Sequence, residues 1–147
     1  MKRIVLSTIF CGLMLGIVGS ASADPKSSQL LRGLGDRVFL VNVEVVADPY
    51  GIIGVGVMFP NCYVFNADGS WDDPGFPVPG TWMQHSVGAN TSYSASADAG
   101  DGFVITQEGE VSPAQGGGVL QIIANSEIAL FGLGFLSTGF EVEGCPL

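Results

Sequence analysis

The chain has 147 residues, 47% of them hydrophobic, with 14 acidic side chains against 5 basic ones and one histidine. No Lys or Arg occurs from Val38 to Leu147, so the chain cannot neutralise a run of phosphates and is repelled by anionic lipid headgroups; nucleic acid and anionic membrane surfaces are excluded as partners. So much Val, Ile, Leu and Phe excludes disorder, and the length suits one domain with one core.

Residues 1–23 read as a secretory signal. Lys2 and Arg3 precede the apolar run "IVLSTIFCGLMLGIVG", and the small residues "ASA" end at Ala23, before Asp24. The expected mature chain is a single domain, 24–147, secreted or periplasmic. It retains Lys26, Arg32 and Arg37 against 14 acids, a net charge of −11. Cleavage also removes Cys11 and leaves Cys62 and Cys145, an even pair in an exported chain, expected to form one disulfide. No basic neighbour is present to activate either thiol.

In "PKSSQLLRGLG", Ser27 or Ser28 can cap a short helix carrying Leu30, Leu31 and Leu34, with Gly33 and Gly35 stopping it. Period-two patterns follow. Phe39, Val41, Val43 and Val45 share one face of the first strand, and "GIIGVGVMFP" places Ile53, Val55, Val57 and Phe59 on one face of a second. The clearest alternation is "ANTSYSASA", in which Tyr93, Ala95 and Ala97 share a face opposite Ser92, Ser94 and Ser96. "GFVITQ", "GVLQIIA", "IALFGLGF" and "GFEVE" read as further strands, separated by turn signals that include "EGE", "ANSE" and "STG". Seven or eight strands on short connections predict an all-β, antiparallel meander barrel of about 8 strands with a short N-terminal helix.

The segment from Cys62 to Ser86 concentrates both tryptophans, the histidine and three aspartates. An EF-hand fails on register: with Gly69 in the sixth position, the first and twelfth ligands would be Val64 and Gly75. A tight turn at "NADG" accounts for the same residues, with Asn66 and Asp68 bonding locally. Asp72 and Asp73 read as acidic turn residues, and Trp71 and Trp82 as core aromatics flanking the crossing "DPGFPVPG". His85 has no nucleophile elbow or metal-ligand spacing around it. No catalytic residue, metal ligand or cofactor is expected.

"YVFNADGSW", followed by the proline-glycine crossing and "PGTW", resembles small bacterial lipocalin-like, calycin-type barrels over residues 61–97. The resemblance implies a small apolar molecule as partner. Tyr63, Phe65, Met83 and Tyr93 are then expected to line the interior, with His85 as a further ligand contact. The alternative is a filled barrel acting as an envelope structural or protein-interaction domain, with "AQGGGVLQIIA" as an exposed surface. An enzyme would need an acid or base inside the barrel; Glu44, Glu108 and His85 are the candidates. Void volume separates these readings.

Overall fold

The computed structural model describes residues 33–86, 88, 90–116 and 118–147. The expected signal segment lies outside them, as does the expected helix apart from Gly33, Leu34 and Gly35. Eight strands run in sequence order around a closed barrel. They are β1 (Arg37–Ala47), β2 (Met58–Phe65), β3 (Ser70–Asp72), β4 (Gly80–Gln84), β5 (Thr91–Asp98), β6 (Val104–Pro113), β7 (Leu120–Ile128) and β8 (Leu133–Val142). Every neighbouring pair is antiparallel, and β1 closes on β8 with Val41 opposite Gly139. Closure pairs every strand on both sides, although short β3 meets β2 only at Val64 and Phe65, so the upper part of β2 has no ladder partner on that side.

Antiparallel order sorts the connections into two ends. The upper end carries the β1–β2 loop, the 73–79 crossing, the β5–β6 turn and the β7–β8 turn. At the lower end are the chain entry at Gly33, the 66–69 turn, and the segments after β4 and β6. Leu34 is fully buried there, and its amide donates to Gln84 Oε1 at 3.1 Å. Arg37 pairs with Glu141 at 2.7 Å at this same end.

The predicted alternation of β1 and β5 holds. Phe39, Val41, Val43 and Val45 are buried, as are Tyr93, Ala95 and Ala97. The turn at 66–69 also forms as expected, with Gly69 at φ 87° and Asp68 Oδ1 accepting from the Ser70 amide at 2.9 Å. Cys62 and Cys145 are bonded.

Three expectations need correction. Residues 51–57 are a loop, not the first half of a strand. Gly51, Gly54 and Gly56 adopt positive φ, and the Asp48 carboxylate accepts from the amides of Ile52, Ile53 and Gly54, which takes them away from any ladder. "IALFGLGF" is not one strand: a short 3-10 turn, Ala129–Phe131, and left-handed Gly132 divide β7 from β8. Conversely, "EGE", "ANSE" and "STG" are not turns but lie within β6, β7 and β8. Their polar residues looked like loop residues, but Ser126 and Ser137 point inward and have partners there.

Candidate functional site

The interior is packed with rings. Phe65 stands at the centre of the lower half, edge-on to Tyr93 at 4.8 Å, Trp82 at 5.7 Å and Phe39 at 5.9 Å. Above it, Tyr63 tilts against Trp71 at 5.9 Å. Three of the five expected contact residues, Tyr63, Phe65 and Tyr93, therefore do meet inside the barrel.

Met83 and His85 do not join them. Trp82 turns inward from β4 to reach Phe65, so the pleat sends its neighbours out. Met83 is 64% exposed, and His85 Nε2 lies 2.8 Å from Ser94 Oγ on the exposed outer face. Glu44 and Glu108 also lie on outward positions of their strands.

Two polar chains cross the packed interior. The Tyr93 hydroxyl donates to Gln107 Oε1 at 2.7 Å, and Gln107 Nε2 donates to Ser126 Oγ at 2.8 Å. The Tyr63 and Ser137 hydroxyls share a hydrogen bond of 2.6 Å. Burial pushes the Tyr63 hydroxyl up to about 12; the Ser137 hydroxyl opposes that rise and the Asp73 charge adds to it. Burial likewise raises Tyr93 well above its ordinary value, with Tyr63 adding to the effect. Both phenols are therefore neutral hydrogen-bonding groups at physiological pH.

The space beside Tyr93, where a ligand was expected, is filled. Among the described residues, the lumen keeps a cavity of about 60 Å³ at its upper end. Phe59, Phe76, Phe135 and Tyr63 form much of its wall, and Asn61, Asp73 and Ser126 supply polar atoms. A water needs roughly 10–15 Å³, so the cavity takes a few atoms, whereas pockets for drug-sized ligands run to about 300–1,000 Å³. A larger hollow, about 440 Å³, is an open depression on the outer wall of β7, β8, β1 and β2. It is not part of the lumen.

Asp73 is the acid that the sequence reading missed. It is 7% exposed. Its placement follows from β3: Trp71 points inward, Asp72 outward, and Asp73 inward again as the chain leaves the strand. That alternation was the available signal, hidden because an Asp-Asp-Pro-Gly run looks like solvated turn. Asp73 Oδ1 accepts from Asn61 Nδ2 and, at 2.9 Å, from the Gly75 amide. Asn61 is itself oriented by the Cys62 amide, which donates to Asn61 Oδ1 at 2.9 Å. Asp73 Oδ2 has no hydrogen-bond donor among the described residues. Burial holds the carboxyl above its ordinary range, a rise partly offset by the Asn61 and Gly75 donors.

A chain of three rings roofs this end. Phe76 from the crossing packs on Phe103 at 4.9 Å, and Phe103 on Phe131 at 5.8 Å. Each comes from a different connection, so opening the roof requires loop movement without unpairing strands.

Among the described residues, no group of three or more His, Cys, Asp or Glu side chains is placed to hold a metal ion. No family model, curated protein or solved structure matches this chain.

Proposed function

We propose that this is an exported binding barrel that takes a compact molecule, or the compact end of a longer one, at its upper mouth. One observation carries this reading: a largely buried carboxyl on the wall of a ring-lined pocket, with one oxygen that accepts no hydrogen bond from the described residues. Asp73 and Asn61 would hold a polar group while Phe59, Phe76 and Phe135 take the apolar part. The resemblance over residues 61–97 supports a carrier, and the filled lumen restricts that carrier to cargo smaller than a fatty acid or sterol. The Lys2–Arg3 start, the apolar run and the Cys62–Cys145 bond support export. Binding without catalysis is the simpler assignment, because among the described residues the ionisable neighbour of Asp73 on the cavity wall is Tyr63, whose hydroxyl is held neutral and bonded to Ser137.

Native mass spectrometry of protein purified from its own compartment tests the proposal. A retained small molecule, lost from a Phe76→Ala or Asp73→Asn variant, is the expected result. Bare protein, together with no thermal shift across a panel of compact amines, acids, alcohols and aromatics, would overturn it.

A second reading has its own observation. The β1–β2 loop exposes Tyr50, 75% accessible, with Ile52, Ile53, Val55 and Val57. The Asp48 carboxylate holds the loop in shape by accepting three of its amides. Such an ordered apolar loop suits a protein-interaction module. Concentration-dependent self-association, or its absence, in size-exclusion chromatography of wild type and a Tyr50→Ser/Val55→Ser variant tests the form in which the partner is a second copy.

A further inference from the structure

Resting on the binding site proposed above, we infer that the ligand of the upper cavity carries a small alkylammonium group, whose charge is met by Asp73 and whose carbons lie against the phenyl rings. Four observations lead to this class. First, the acid is inside and has no counter-ion among the described residues: their single Lys or Arg is Arg37, which pairs with Glu141 at the opposite end of the barrel. A buried carboxylate without a counter-charge is costly, and an incoming cation removes that cost.

Second, the Asp73 oxygens are unequally used. Oδ1 is taken by Asn61 and Gly75, which fixes the carboxyl plane, while Oδ2 accepts from no described residue and the side chain lines the cavity. An ammonium has three donors and no acceptor, and the nearby Ser126 Oγ, also on the cavity wall, is a second acceptor. A carboxylate ligand would meet like charge at Asp73, and a neutral alcohol would leave the charge uncompensated.

Third, the walls are aromatic. Phe59 and Phe135 meet edge to face at 6.5 Å, and Phe76 and Tyr63 also line this open-mouthed pocket. Ring faces attract organic cations, and more strongly when water is excluded. Fourth, the cavity of about 60 Å³ has room for an ammonium with one or two carbons, not for a bulky quaternary head.

The test is isothermal titration of the mature protein with methylammonium, ethylammonium and tetramethylammonium, against ethanol and acetate as neutral and anionic controls. The two small ammonium ions should bind with one-to-one stoichiometry, and the other three should not. Asp73→Asn should weaken that binding about 10- to 100-fold, the scale of a hydrogen bond to a charged group. Asp72→Asn makes the same change in net charge just outside the barrel and should leave it intact. Equal losses in both variants would show general attraction to an acidic protein and overturn the inference. Should Asp73→Asn fail to fold, Phe76→Leu, which keeps an apolar wall without the ring, should still weaken ethylammonium binding several-fold, and unchanged ethylammonium affinity in that variant would overturn the inference. Binding of ethanol or another neutral compact molecule in place of the amines would sink this inference but leave the binding reading standing. No binding by any member of this set or the wider panel would remove both.

Discussion

Gly109 and Tyr93 sit opposite each other on β6 and β5, and the tyrosine ring occupies the place of the missing side chain. A β-carbon at Gly109 would lie 2.5 Å from the Tyr93 hydroxyl oxygen and ring edge. The glycine is thus what lets the ring lie across the strand and reach Gln107. Gly109→Ala is expected to cost about 1–3 kcal/mol through overpacking. In the Tyr93→Leu background the same change should cost clearly less, because the clash is gone. Urea denaturation of the four proteins in the cycle measures this. Additive costs would show that the ring does not constrain position 109.

How far the sequence discloses this molecule depends on which force set each part. Alternation discloses β1 and β5 because one face of each is apolar, and a one-residue slip would expose it. The same logic placed Tyr93 indoors, whereas Tyr63 and Phe65 were expected there as lining residues of the barrel the resemblance implies, an expectation that also took in the exposed Met83. Alternation failed for Ser126, Ser137 and Gln107, which are buried because tyrosine hydroxyls need partners, a relation between strands far apart in sequence. Residues 51–57 also misled, since alternating Val and Gly mimics a strand until the Asp48 carboxylate claims the amides. The candidate site was the least legible part. Nothing local distinguishes Asp73 from Asp72 except which way the pleat points as β3 ends.

The high Tyr63 pKa makes stability depend on alkaline pH. The folded-state value, about 12, lies above the ordinary 10.0, so the neutral phenol is favoured by folding. That contribution is fully present below pH 10 and is lost as pH rises through 10 to about 12, because the unfolded chain ionises first. A shift of this size corresponds to roughly 3 kcal/mol. Tyr63→Phe should flatten that decline, while costing about 1 kcal/mol near neutrality because Ser137 loses its partner. Denaturation midpoints of both proteins across this range check the sign. A parallel decline in the variant would move the effect to Tyr93 or elsewhere.

Cys62 lies on the outward side of β2 yet is fully buried. The bond to Cys145 brings the chain beyond β8 across β1, where Leu40 faces both Phe140 and Cys62. The 83-residue separation makes this a long loop closure, for which chain entropy predicts about 4–5 kcal/mol. Thiol titration of denatured protein cleaved after Ala23 should find no free thiol. Reduction should lower the guanidinium midpoint markedly and raise amide exchange first in residues 143–147. Full stability after complete reduction would mean that strand closure alone holds the tail.

Asp73 gives the opposite pH behaviour to that of a salt-bridged acid. Its ordinary value is 3.8 and burial raises it in the folded state, partly offset by the Asn61 and Gly75 donors. Folding therefore favours the protonated, neutral carboxyl. The associated stability is fully present below the unfolded value, and it falls as pH rises from there through the folded pKa, because the native state binds more protons than the unfolded chain over that window. Asp73→Asn keeps an oxygen for Asn61 Nδ2 and the Gly75 amide and carries no charge at any pH. The variant should match or fall slightly below wild type in acid and exceed it at neutral pH, with the two curves crossing within the window. Thermal melts of both proteins from acid to neutral pH provide the comparison. A variant less stable than wild type at neutral pH would mean that the ionised carboxyl is satisfied in the fold, and the need for an external cation at Oδ2 would go with it.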